Sequence, residues 1–134
     1  MTRQRQIITQ VIRRSPEHLT ADKICELARH DMPGIAVGTV YRNLGRMVED
    51  GEIMRISVPD APDRYDKNPV AHEHMICSRC GRMVDVCIDG LDEFIAKRCG
   101  CAVSGHMLVV LGVCGECASE STSDNTTTDK EILS

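Results

Sequence analysis

Two short cysteine pairs carry the clearest chemistry in this chain. Cys77-x-x-Cys80 and Cys114-x-x-Cys117 are separated by the thirty-three residues 81–113, the first pair followed by Gly81 and the second containing Gly115. Each pair sets two sulfurs on a tight knuckle. Four thiolates together match the tetrahedral preference of Zn2+, with bonds of about 2.3 Å. Iron in the same tetrathiolate and a redox dithiol remain competing uses of such cysteines. The other four, Cys25, Cys87, Cys99 and Cys101, lack a partner at comparable spacing. A free buried thiol is the reading for Cys25, and the Cys99-Gly100-Cys101 triplet does not by itself specify a site.

A second kind of donor lies beside the first pair. In HEHMICSRCGRMVD, residues 72–85, His72 and His74 alternate along a strand and so point to the same side, while Asp85 stands on the other arm of the knuckle. Such a pair is often only surface polarity. A mixed nitrogen and oxygen set nevertheless favours Mn2+, Fe2+ or Zn2+ in an open and exchangeable site over a closed thiolate cage.

The elements that must position these groups have little bulk to work with. The chain has 134 residues, with no Trp, one Phe and two Tyr, so its core must come from Ile, Val, Leu and Met. That length suits one ordinary domain or two small ones, and small lobes are marginal without a staple such as a metal. The first ten residues run straight into an amphipathic pattern with no charged-then-apolar leader. No apolar run approaches the roughly 20 residues of a membrane span. A cytoplasmic protein is therefore expected, with reduced thiols that bind metal and do not pair as disulfides.

The front of the chain reads as helices. Ile7, Ile8, Val11 and Ile12 share one helical face that Ser15-Pro16 interrupts. Thr20 stands at an N-cap position, with Asp22 in the first turn and Ile24, Leu27 and Ala28 forming the next apolar face. DMPG, residues 31–34, stops that helix. A third is expected from about Gly38 to Asp50 on Val40, Leu44, Met47 and Val48, ended by Gly51. The apolar alternation of EIMRISVP, the turn-rich PDAPD and the returning RYD then describe a hairpin. Three helices and a hairpin make a winged helix, whose third helix enters the major groove of DNA. Further on, GLDEFIAKRCG (90–100) reads as a helix and MLVVLGV (107–113) as a buried strand.

Charge divides the chain in the same way. Residues 1–46 hold eight Lys/Arg against four acids, a net of +4, whereas residues 68–134 hold five against ten, a net of −5. The formal total of −4 thus hides a basic front suited to a polyanion. Burying the stripe of the third helix turns Thr39, Tyr41, Arg42, Asn43 and Arg46 outward, a set able to touch phosphates and base edges. The competing reading is a protein-interaction domain with a solvated third helix, because winged helices do both jobs.

Taken together, GTVYRNL (38–44), DRYD (63–66), HEHMICSRCGRMVD (72–85), GLDEF (90–94) and GVCGEC (112–117) resemble the ferric uptake regulator family, in family order, from about Arg3 to Ala118. The resemblance implies an α+β chain: a winged helix-turn-helix with its hinge over 1–67, and a small α/β dimerisation domain with a tetrathiolate zinc site over 68–118. A polar tail over 119–134 is expected to be disordered. It implies a homodimer that binds a double-stranded DNA operator when metal is loaded. Within the family the likeness is to the peroxide-sensing regulators, because the acid after the knuckle is Asp85 and not Glu. By that likeness Cys77, Cys80, Cys114 and Cys117 hold structural Zn2+. The regulatory ion, Fe2+ or Mn2+, falls to His18, Asp66, His72, His74 and Asp85. A second family site matches at Glu73, Asp92 and His106 but has Ala71 in its remaining place, which leaves it weakened or absent. The extra N-terminal helix of many family members also has no counterpart before Arg3.

These features lead to the expectation of a repressor, not an enzyme, that senses hydrogen peroxide through iron-dependent oxidation of a ligand histidine, His18 or His72. An iron-, manganese- or zinc-homeostasis repressor of the same family and a zinc-built protein-interaction module are the competing readings.

Overall fold

The computed structural model describes residues 2–121, which divide into two compact units, one ending at Ala71 and one beginning at His72. The break lies four residues past the expected end of the first domain at 67. Among the described residues no helix is long and apolar enough to cross a membrane.

The first unit opens with helix α1 (Arg3–Arg14), capped by the Thr2 hydroxyl, which accepts the Arg5 N–H at 3.2 Å. Ile7, Ile8 and Ile12 are buried along one face. Arg13 and Arg14 lie in the last turn, where positive charge complements the helix dipole. Strand β1 (Leu19–Thr20) follows, and Thr20 then caps helix α2 (Ala21–Ala28) by accepting the Lys23 N–H at 3.2 Å. Helix α3 (Val37–Glu49) buries Val40, Leu44 and Met47 completely, close to the span expected from its periodicity. Gly51, at φ 75°, turns the chain out of it. The Arg5 guanidinium ties the start of α1 to the end of α3 through Asp50 (2.8 Å) and Glu52 (2.7 Å).

Strands β2 (Met54–Ile56) and β3 (Arg64–Asp66) form the expected hairpin. The sheet has three strands, in the order β1-β3-β2, all antiparallel. The sequence reading did not include β1, because two residues are too few to show alternation. Its register, Leu19 opposite Tyr65 and Thr20 opposite Arg64, fixes what precedes α2 against the wing. Leu19 and Tyr65 enter the same core as the three helices.

The second unit is a sheet ordered β5-β4-β6, built from β4 (Glu73–Cys77), β5 (Met83–Val86) and β6 (Val109–Gly112). Strands β4 and β5 pair antiparallel around the Gly81 turn, and β4 and β6 pair parallel. Helix α4 (Leu91–Cys99) makes the crossover between two left-handed glycines, Gly90 and Gly100, and α5 (Gly115–Ser121) closes the described chain. Residues 119–121 of the expected tail therefore complete a helix, and the rest of that tail lies outside the described residues. The strand expected within 107–113 forms, but it is not buried. Met107, Val110, Leu111 and Val113 are exposed, because β6 has β4 as its neighbour on one side and these side chains are not covered by other described residues.

The Thr20 hydroxyl closes the first turn of α2 while its backbone belongs to β1. Thr20→Ala is expected to destabilise the first unit by about 1 kcal/mol, read as a lower denaturation midpoint with unchanged slope in urea followed by circular dichroism.

Candidate metal centre

The four sulfurs of the second unit converge. Cys77 ends β4, Cys80 sits in the following turn, Cys114 follows β6 and Cys117 lies on α5. Their Sγ atoms all lie within 4.8 Å of one another, and those of Cys80 and Cys114 are 3.8 Å apart. Sulfurs bound at 2.3 Å on the corners of a tetrahedron are spaced by about 3.8 Å, so a Zn2+-sized ion fits the set with little movement. The turn is held by backbone bonds: Gly81 N–H to Cys77 C=O (2.9 Å), Cys77 N–H to Arg82 C=O (2.9 Å) and Ser78 N–H to Gly112 C=O (2.7 Å). The last of these joins the two knuckles.

The sulfurs differ electrically. Backbone N–H groups of Cys114 and Cys80 directed at the Cys77 sulfur pull its thiol down to about 6. Its hydrogen bond with Cys114, and then burial, push the Cys117 thiol up to about 12. Without a cation the cluster thus keeps protons on some sulfurs, and an ion that converts all four to thiolates must displace them. The remaining cysteines are also free thiols: Cys25 is buried in the helical core, and Cys87, Cys99 and Cys101 are exposed.

Nitrogen and oxygen donors gather in the second unit as well. The β4–β5 register sets His74 opposite Asp85. One oxygen of Asp85 lies 3.2 Å from His72 Nε2 and 3.4 Å from His74 Nε2. The two imidazole rings are 4.4 Å apart, tilted by 53°. Both are largely buried while Asp85 is half exposed, so the cluster opens toward solvent on its carboxylate side. In the first unit, β1 carries the preceding His18 against the end of β3, where its Nε2 is 2.9 Å from Asp66 Oδ2. The other Asp66 oxygen accepts the Asn68 N–H at 2.9 Å. Each unit therefore orients a part of the expected donor set. Two imidazoles with carboxylate oxygen suit first-row divalent ions held less tightly than by four thiolates.

Glu73, Asp92 and His106 also come together, His106 touching both acids at 2.6 Å. Nothing in their separation along the chain announces that contact.

On α3, Tyr41, Arg42 and Arg46 are exposed, and Thr39 and Asn43 are partly buried. Arg42 donates to the Thr39 hydroxyl (3.2 Å), and the Asn43 amide donates to the Thr39 carbonyl (2.9 Å). The charge of Asp22 raises the Tyr41 phenol above its ordinary value, so it stays a neutral donor. Arg55, which the sequence reading did not single out, lies on β2 over the Tyr65 ring at 5.8 Å and reaches toward α3 at Gly45.

A winged helix joined to a small sheet with a tetrathiolate knuckle and nitrogen–oxygen donors defines a metal-binding regulator architecture. The profile of the ferric uptake regulator family matches residues 1–111, and the chain belongs to that family. It is 37% identical over 123 residues to the peroxide operon regulator of Bacillus subtilis, covering 90% of this chain and 85% of that protein. It is 35% identical to the peroxide-responsive repressor PerR of Staphylococcus epidermidis, over 90% of this chain and 82% of that one. The solved Campylobacter jejuni peroxide stress regulator superposes with a TM-score of 0.70 at 26% identity, covering 85% of this chain and 88% of that structure.

Among the described residues the second unit buries few apolar side chains besides Met83, so an ion held by its sulfurs would be a main support of its sheet. Cys114→Ser, or chelation strong enough to empty the thiolates, is expected to abolish amide-exchange protection in β4–β6 while α1–α3 keep theirs. Exchange followed by mass spectrometry reads both regions in one sample.

Proposed function

We propose that this protein is a metal-dependent, DNA-binding transcriptional repressor that responds to hydrogen peroxide. The carrying observation is the single Asp85 oxygen faced by two imidazoles, an open nitrogen–oxygen cluster beside a closed tetrathiolate. The names of the relatives at 35–37% identity point the same way.

In this reading Cys77, Cys80, Cys114 and Cys117 hold structural Zn2+, and His18, Asp66, His72, His74 and Asp85 share one exchangeable Fe2+ or Mn2+. His18 and Asp66 come from the first unit and the other three from the second, so a full ligand set constrains both. A ligand that prefers the constrained form by roughly 1–3 kcal/mol changes DNA affinity about 5–150-fold. Thr39, Tyr41, Arg42, Asn43 and Arg46 on α3 supply the operator contacts, with Arg42 and Arg46 on phosphate or guanine. The exposed edge of β6, with Val110 and Leu111, suits pairing with a second copy, and a twofold dimer matches a palindromic operator.

Fe2+ held there would promote reduction of hydrogen peroxide by a neighbouring imidazole, which would gain one peroxide oxygen while the other leaves as water. In this reading His18 and His72 are the rings that take that damage. An oxidised ring is a poorer donor, the two units lose their shared constraint, and the operator is released. The event consumes a side chain and does not turn over, so the protein is a sensor and not an enzyme.

Titration of operator binding with Mn2+ and Fe2+, then exposure to peroxide and mass measurement of residues 16–23 and 71–79, tests this reading. Expected are metal-dependent binding with either ion, and loss of binding with oxygen gain on one histidine only in the Fe2+ form. Binding that survives peroxide with unmodified histidines would leave a metal-homeostasis repressor, and no binding under any metal would leave an interaction module. His18→Ala should lose metal-dependent DNA binding while zinc stays at one per chain. Arg46→Ala should reduce the slope of log affinity against log salt by about 1.

A further inference from the structure

Three elements of the second unit bring Glu73, His106 and Asp92 together as a hydrogen-bonded clamp. Glu73 stands on β4 between His72 and His74, so strand alternation turns it to the opposite face. It is only 3% exposed. Its Oε2 is 2.6 Å from His106 Nε2, and its Oε1 accepts the Ile88 N–H at 2.7 Å. The second nitrogen of the same ring, Nδ1, is 2.6 Å from Asp92 Oδ1 in the first turn of α4.

This geometry does not fit an ion. A histidine ligand must offer a lone pair from one nitrogen, yet both nitrogens here face carboxylate oxygens at hydrogen-bond distance, and an ionised carboxylate only accepts. Both are satisfied when both carry protons. The nitrogens lie on different sides of the ring, so the two acids cannot meet at one point with either of them. Contacts of 2.6 Å lie at the short limit of hydrogen bonding between a nitrogen and a carboxylate oxygen. An ion about 2.1 Å from nitrogen and from oxygen would spread the two to about 3 Å or more.

We propose that His106 is itself the resident cation, an imidazolium gripped by Glu73 and Asp92 that excludes a further metal ion and fixes β4 so that His72 and His74 are presented in a set geometry. Glu73 and His106 are positioning residues. That role rests on the reading of His72, His74 and Asp85 as ligands of the exchangeable ion, whereas the protonated clamp does not.

The test uses the full chain with its tetrathiolate filled, titrated with Mn2+ and counted for bound metal. At saturation two ions per protomer are expected, and nitrogen-15 NMR should show both His106 ring nitrogens protonated. Glu73→Gln and His106→Gln should keep one zinc per chain and an unchanged far-ultraviolet spectrum, while weakening Mn2+ binding by about 10–100-fold. Glu73→Gln retains an oxygen for the Ile88 N–H, which spares the fold. A third ion that vanishes in His106→Gln, a neutral His106 ring, or unaltered Mn2+ affinity in both variants overturns the proposal. His74→Ala should remove the exchangeable ion. If Mn2+ binding persists there, the ligand reading fails and the positioning role with it, while the ion count and the ring's protonation still decide the clamp.

Discussion

Four cysteine sulfurs crowded together must share either protons or a cation, and that constraint runs through the C-terminal half of this chain. Its four cysteine sulfurs lie within 4.8 Å of one another, contributed by β4, the turn after it, the end of β6 and α5. Few apolar side chains are buried around them, in contrast to the helical core of the first unit. Coordination of an ion by those sulfurs would do in one unit what aliphatic packing does in the other. An apparent binding free energy on the order of 10–16 kcal/mol for a structural thiolate ion is enough to carry a sheet this small.

Strand β4 sorts the chemistry by parity. Residues 72 and 74 face one way and supply nitrogen, and residues 73 and 77 face the other, supplying the buried carboxylate and the first thiolate. The nitrogen–oxygen cluster and the sulfur cluster are thus kept on separate sides of the strand. The antiparallel partner brings Asp85 opposite His74, and the parallel partner brings Gly112 opposite Cys77, just ahead of Cys114. Register, more than loop geometry, decides which donors meet.

Much of this was legible from the chain alone where local rules apply. The Thr20 cap, the stripe of Val40, Leu44 and Met47, and the four spaced cysteines each announce themselves within a few residues. What was hidden depends on partners distant in sequence. Strand β1 has two residues and exists because Tyr65 and Arg64 lie beside it. The contact of His106 with Glu73 spans 33 positions. Residue types suggested a remnant ion site for Glu73, Asp92 and His106, but only coordinates show which nitrogen faces which acid. The apolar run 107–113 was read as buried because hydrophobicity does not distinguish a central strand from an edge. His18 and Asp66 were identified by resemblance, and their 2.9 Å contact belongs to the sheet that β1 completes.

The exposed edge of β6 has a consequence for solubility. Its backbone groups can template any strand laid beside them, and Cys114 anchors its C-terminal end next to the knuckle. Were an ion held by those thiolates lost, the loosened sheet would leave the apolar run with Val110, Leu111 and Val113 without its β4 partner. Such a run favours pairing between copies and removal from the soluble pool. Exchange of an ion at the nitrogen–oxygen cluster would leave that edge paired with β4.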